Sequence, residues 1–317
     1  MPASIDRSLT LELVRVTERA ALAAAVWRGK GDEKAADHAA VEAMRTELEK
    51  VHVNGRIVIG EGERDEAPML YIGETVGAGD GPEVDIAVDP LEGTTLCAKN
   101  QQDAICVLAM TERGGLLNAP DVYMQKIAIG ANYPEGTVDI DWSPVENVRA
   151  LADWKGVPYT EIVTCVLDRP RHAALIDELR SASIPIKLIG DGDIAGIIHA
   201  TNTEESGIDI YLGSGGAPEG VLAAAALRCV GGQMQGRLIL DTPDKRERAR
   251  RMGITDPDRK YGVNDLASGD VLFAATGVTD GTLLQGVRLK KNGVRTSTVV
   301  MRSWSRTVRW ITAEHQR

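Results

Sequence analysis

Asp85-Ile86-Ala87-Val88-Asp89-Pro90-Leu91-Glu92-Gly93-Thr94-Thr95 sets an apolar run directly against two carboxylates, a glycine and two hydroxyls. Val84, Ile86 and Val88 alternate with the period of a strand, and Pro90 lacks a backbone donor, which predicts that pairing stops there. Ligands of open α/β sheets bind at the carboxyl ends of strands, so this reading puts Asp89 at a candidate binding edge. Glu92 is close enough in the chain to share an ion with Asp89. Gly93 lets the backbone approach a ligand, and Thr94 offers a hydroxyl beside it. Oxygen-only ligands suit Mg²⁺ or Mn²⁺ rather than zinc. The same residues also suit an ordinary polar turn, because Asp, Pro and Gly are common turn formers.

The stretch lies in a chain of 317 residues, long enough for a large core and for two domains. Hydrophobic residues make up 43% and charged residues 26%, the balance of a globular protein. With one Phe, the core must be built from Val, Ile, Leu, Met and Ala, which favours helices stacked on sheets. A net charge of −10 opposes nucleic-acid backbones and anionic membranes. The one basic cluster, Lys245 to Arg251, is interrupted by Glu247 and reads as a solvated helix face or a subunit contact. No apolar stretch reaches the roughly 18 residues of a membrane span, and Met1 to Ser8 lack a signal peptide's apolar region, so a cytoplasmic protein is expected. Cys97, Cys106, Cys165 and Cys229 show no paired metal-ligand spacing. Buried reduced thiols are expected, with a regulatory disulfide as the alternative.

Upstream, Ser8 to Trp27 reads as a helix stopped by Gly29 and Gly31, and a second helix runs from about Lys34 to Val51. On the second, Val41, Met44, Leu48 and Val51 form one stripe, and Asp37 shares that face. A carboxylate on a buried face must be paired or metal-bound. Alternatively, Asp37 merely favours the helix N-terminus, worth under about 1 kcal/mol. The strand Arg56 to Ile59 then runs into Gly60-Glu61-Gly62-Glu63-Arg64-Asp65-Glu66, a second strand followed at once by carboxylates. Asp37, Glu61, Asp89 and Glu92 together could ligate two or more divalent ions.

Downstream, after a strand near Ala104 to Met110, the chain changes character near residue 155. Strands Ile162 to Leu167, Ile186 to Ile189 and Ile208 to Leu212 alternate with helices Arg171 to Ser181, Ile194 to Ala200 and Glu219 to Val230. This order predicts a parallel sheet with right-handed crossovers. Its strand ends carry Arg169 and Arg171, then Asp191-Gly192-Asp193, then Gly213 to Glu219, all at one edge. Arginines could grip a phosphate, aspartates could accept from sugar hydroxyls, and Glu219 could reach a metal. Each also has a plainer role, as surface charge, helix cap or first-turn acid. The glycine loop is a poor dinucleotide fingerprint, and no P-loop occurs.

Gly60-Glu61-Gly62-Glu63 with Asp65 to Leu70, Asp89 to Thr94, Asn118-Ala119-Pro120-Asp121, Asp191-Gly192-Asp193 and Gly215 to Gly220 resemble the class II fructose-1,6-bisphosphatases. The likeness runs from the first helix to Ala275-Thr276-Gly277-Val278-Thr279 and the final strands. It implies the lithium-sensitive, metal-dependent sugar phosphatase superfamily. The implied fold is a layered α-β-α-β-α sandwich with two domains and the active site between them. We divide the chain at 1–157, an N-terminal metal-binding α+β domain, and 158–317, a C-terminal α/β substrate-binding domain. By matching motif, Asp37, Glu61, Asp89, Glu92 and Glu219 are the implied metal ligands. Glu92, Gly93, Thr94, Tyr123, Arg169, Pro170, Arg171, Asp191, Gly192, Asp193 and Gly216 are the implied substrate contacts. Thr94, Glu61 and Asp65 are the implied catalytic set. Two departures stand out. Glu33 follows Gly31-Asp32 where the family carries lysine, and the segment between Leu240 and Asp270 is shortened.

The resemblance implies hydrolysis of the C1 phosphate of fructose 1,6-bisphosphate by metal-activated water, in gluconeogenesis or the Calvin cycle, by a homo-oligomer (dimer or tetramer). Thr94, oriented by Glu61 or Asp65, would position the water, the amides after Gly93 would hold the phosphate, and Arg169 or Arg171 would anchor the distal phosphate. The rivals are a phosphatase for sedoheptulose 1,7-bisphosphate or an inositol phosphate, a binding protein without turnover, and a nucleotide-dependent oxidoreductase.

Overall fold

A computed structural model describes residues 5–62 and 69–316. The expected catalytic Asp65 lies outside the described residues. The described residues are mixed α/β with two sheets. The chain divides into two compact units, 1–118 with 267–317, and 119–266.

In the first unit an eight-stranded sheet runs in the order Arg288–Lys290, Gly293–Arg302, Val271–Gly277, Ile105–Glu112, Glu83–Glu92, Asn54–Ile59 and Thr75–Val76, with Thr307–Gln316 also paired to Gly293–Arg302. Among the described residues of this sheet, only Asn54–Ile59 and Glu83–Glu92 are parallel neighbours. Helices Leu9–Ala25 and Glu33–Leu48 place Leu13, Ala20, Met44 and Leu48 in one cluster with Ile57, Ile86, Val88, Leu108, Leu272 and Val300. This is the apolar stripe and the strand alternation of the sequence meeting face to face. Asp32 starts the second helix by accepting from the Ala35 amide at 3.0 Å.

Pairing does not stop at Pro90, contrary to expectation. Asp89 faces Val107 and Glu92 faces Ile105, with a register shift between them. The missing proline donor falls inside that bulge, where the ladder is already interrupted, so the strand carries both carboxylates to its end.

In the second unit the sheet order is Tyr261–Gly262, Gln233–Leu238, Tyr123–Ile129, Ile210–Gly216, Thr164–Leu167 and Ile186–Ile189. The last three are parallel, as their alternation with helices predicts, and the first three are added antiparallel. Helices Pro144–Lys155 and Ala173–Ser181 cover one face through Val148, Leu151, Ile176 and Leu179 against Ile127, Val166, Ile210 and Leu212. Asp193–His199 and Ala217–Val230 approach the opposite side chains, Cys165, Tyr211, Met124 and Lys126.

The division at 157/158 read from the sequence is not the division between these units. Tyr123–Ile129 lies between two strands of the second sheet, and Val271–Gly277 pairs with Ile105–Glu112 of the first. Local periodicity shows that a segment is a strand but not which distant strand it joins.

The four cysteines form no disulfide and are buried, as expected. Burial pushes the Cys97 thiol up to about 11 and that of Cys106 well above its ordinary value, so neither is a ready thiolate.

Candidate active site

The first unit gathers carboxylates from three elements. Glu83–Glu92 delivers half-buried Asp89 and buried Glu92, with carboxylate oxygens within 4.8 Å of each other. Asp89 Oδ1 accepts from the Leu91 amide at 3.1 Å, which fixes that side chain at the bulge. Helix Glu33–Leu48 contributes Asp37, and Glu61 follows Asn54–Ile59. Gly60 packs so closely on the main chain at Leu70 that a Cβ would sit 2.0 Å from the Leu70 carbonyl oxygen, and the Glu61 amide donates to that same oxygen at 3.0 Å.

Burial first, then the charges of Asp37 and Asp89, push the Glu61 carboxyl up to about 8. Burial also raises Asp37. Carboxyls shifted this way lie in one another's field in a poorly solvated place, an arrangement that a divalent cation relieves. The donors are all carboxylate oxygens, which fits a hard cation and not a thiolate-bound metal. Beside them Gly93 takes φ 81°, a left-handed corner, and the five-residue helix Thr94–Ala98 begins with the half-buried Thr94.

The second unit assembles the expected substrate contacts at the ends of its parallel strands. Arg169 Nη2 meets Asp191 Oδ1 at 3.1 Å. Arg171 donates to the Ser214 carbonyl from Nε at 3.1 Å and from Nη2 at 2.7 Å, and its guanidinium lies 4.6 Å from the centre of the Tyr123 ring. Tyr123 is opposite Gly216 on the antiparallel strand. Asp191 is half-buried, whereas the Asp193 carboxylate turns inward and meets the Lys126 ammonium at 2.5 Å. Glu219 sits in the first turn of Ala217–Val230.

Three residues of this arrangement were not read from the sequence, namely Lys126, His172 and Ser214. For Lys126 a signal exists. In Tyr123–Ile129 it shares one face with Met124 and Ala128, so the period of two puts its side chain on a buried face. His172, between Arg171 and Ala173, and Ser214, in a glycine loop, carry no such signal.

A family model described as bacterial fructose-1,6-bisphosphatase, glpX-encoded, matches residues 7–315. The chain belongs to that family. Among curated relatives, the D-fructose 1,6-bisphosphatase class 2/sedoheptulose 1,7-bisphosphatase of Synechococcus sp. (strain JA-2-3B'a(2-13)) is 47% identical, covering 99% of this chain and 97% of the relative. Proteins of the same name from Microcystis aeruginosa (strain NIES-843 / IAM M-2473) and Synechocystis sp. (strain ATCC 27184 / PCC 6803 / Kazusa) are 47% and 46% identical over 97% of their lengths. As a member of this bacterial fructose-1,6-bisphosphatase family, the chain is a metal-dependent phosphatase, and its acidic cluster is of the kind such an enzyme requires. No helix among the described residues is long and apolar enough to cross a membrane.

Proposed function

We propose that the protein hydrolyses the C1 phosphate of fructose 1,6-bisphosphate to fructose 6-phosphate and inorganic phosphate with Mg²⁺ or Mn²⁺, and accepts sedoheptulose 1,7-bisphosphate as a second substrate. The observation that carries the reading is the gathering of carboxylates in the first unit, Glu61 in the field of Asp37 and Asp89, and Asp89 and Glu92 with oxygens within 4.8 Å of each other. The names of the relatives, which cover both sugars, support the pair of substrates.

In this reading Asp37, Glu61, Asp89, Glu92 and Glu219 hold the metal, the donor set that the family resemblance implies. When bound, the ions supply positive charge to the phosphoryl oxygens and lower the pKa of water. The chain's own groups do the positioning. The Thr94 hydroxyl, oriented by Glu61 or Asp65, would position the attacking water and pass its proton onward. Arg169 and Arg171 hold the distal phosphate, Tyr123 and Gly216 border it, and Asp191 accepts from a sugar hydroxyl. The loops Glu92-Gly93-Thr94 and Asp191-Gly192-Asp193, with Asp193 through its main chain only, complete the contacts together with Pro170.

A cytoplasmic homo-oligomer belongs to the same reading, and light scattering on the purified protein tests the assembly. The decisive experiment is phosphate release from a panel of esters with and without a chelator. Release from the two sugar bisphosphates that stops on chelation is expected. Binding without release would favour a non-catalytic protein, and release that survives full chelation would remove the metal roles.

A further inference from the structure

We infer that Lys126 is a positioning residue that sets the sugar-binding loop Asp191-Gly192-Asp193 through its ion pair with Asp193. The inference rests on the phosphatase reading above. Lys126 lies on Tyr123–Ile129 opposite Gly213, and its side chain is 0% exposed. Its ammonium faces the Asp193 carboxylate, 4% exposed, at 2.5 Å. Taking both charges out of water costs more than a pair of apolar side chains in the same space, so such a pair is a poor device for stability alone. A fixed direction is what it adds, because a charge-assisted hydrogen bond between two buried groups tolerates little displacement.

That direction falls on the loop. Asp193 is the first residue of helix Asp193–His199, and Gly192 before it takes φ 80°. Drawing Asp193 inward fixes this corner and leaves Asp191, two residues earlier, at the strand end beside Arg169. Neighbouring glycines are shaped around the pair. A Cβ on Gly215 would lie 1.9 Å from Asp193 Oδ2, and one on Gly220 would lie 3.2 Å from Lys126 Cε. Lys126 therefore joins the central strand, the 191–193 loop and the turn leading to Glu219, with its ammonium buried away from solvent.

The test uses the isosteric double variant Lys126→Met/Asp193→Asn, which removes both charges and so avoids stranding either. It is measured beside the wild type for melting temperature, Mn²⁺ affinity by titration without substrate, and steady-state kinetics on fructose 1,6-bisphosphate. We expect wild-type melting and Mn²⁺ affinity, with KM raised about tenfold and kcat within about twofold, the signature of lost substrate placement. An unchanged KM overturns the inference. So does a melting temperature well below wild type, or a parallel loss in kcat and Mn²⁺ affinity, since each makes Lys126 a support of the fold at large. A wild type that releases no phosphate would instead refute the phosphatase reading, and the inference falls with it.

Discussion

His172 accepts the backbone N–H of Ser214 on Nε2 at 2.8 Å while its Nδ1 lies 2.8 Å from the Leu167 carbonyl. An amide can only donate and a carbonyl can only accept, so the ring is neutral with its proton on Nδ1. The ring thereby ties the end of strand Thr164–Leu167 to the glycine loop of Ile210–Gly216, with Arg171 holding the same Ser214 from the other side.

Acid should loosen this link. Burial first, and the charges of Arg171 and Arg169 with it, hold His172 below its ordinary 6.5. A depressed folded value means the contribution is complete above pH 6.5 and is lost as the pH falls from there through the folded value. Thermal melts between pH 7 and 5 should therefore fall, and His172→Gln, already weakened by about 1–3 kcal/mol for the poorly satisfied Ser214 amide, should show a flatter profile. An identical slope in the variant would place the acid sensitivity elsewhere.

Asp85 and Asp89 lie on one face of one strand and should fail in opposite ways. Asp85 is fully buried and accepts from Arg56 at 2.9 Å and from the Gly114 amide at 2.6 Å. Asp85→Ala should cost about 2–3 kcal/mol in denaturant unfolding. Asp89→Asn, and likewise Glu61→Gln, should abolish phosphate release with a change of under about 1 kcal/mol. Full turnover in either of the latter would refute their metal roles.

Without divalent metal, the Glu61 shift has a sign that can be read by calorimetry. Its folded pKa, about 8, lies above its ordinary 4.5, so the folded state binds the proton more tightly. Stability from this group is present below pH 4.5 and declines as the pH rises toward 8. Saturating Mn²⁺ should reverse that decline, because the ion favours the ionised carboxylates. A metal-independent profile would count against the cluster.

Arg171→Lys should raise KM for the bisphosphate about tenfold with kcat nearly kept, as lysine cannot reproduce both the forked bond to Ser214 and the stacking on Tyr123. Initial-rate kinetics decide it. A kcat loss equal to the KM change would move Arg171 toward the reacting phosphate.

Much of this was legible in the residues. Val84, Ile86 and Val88 gave away their strand, the stripe Val41, Met44, Leu48 its helix, and the order from Thr164 to Val230 its parallel strands. The convergence of Arg169, Asp191 and Arg171 at one edge followed from that order. What stayed hidden depends on contacts remote in the chain. Nothing local tells Tyr123–Ile129 to insert between Gln233–Leu238 and Ile210–Gly216, or the last 51 residues to rejoin the first sheet. Pro90 suggested a strand end because a bulge has no clear local signature. The inward turn of Asp193 was missed because its partner, Lys126, sits 67 residues away.

The return of residues 267–317 to the first sheet bears on synthesis at the ribosome. Val271–Gly277 is the partner that Ile105–Glu112 needs on its open side, so a nascent chain lacking it exposes that edge throughout production of the intervening segment. The inserted 119–266 segment holds all six of its strands and can close its own ladder first. Amino-terminal residues must therefore wait for carboxyl-terminal ones, and truncation from the carboxyl end should yield aggregates rather than a smaller working enzyme.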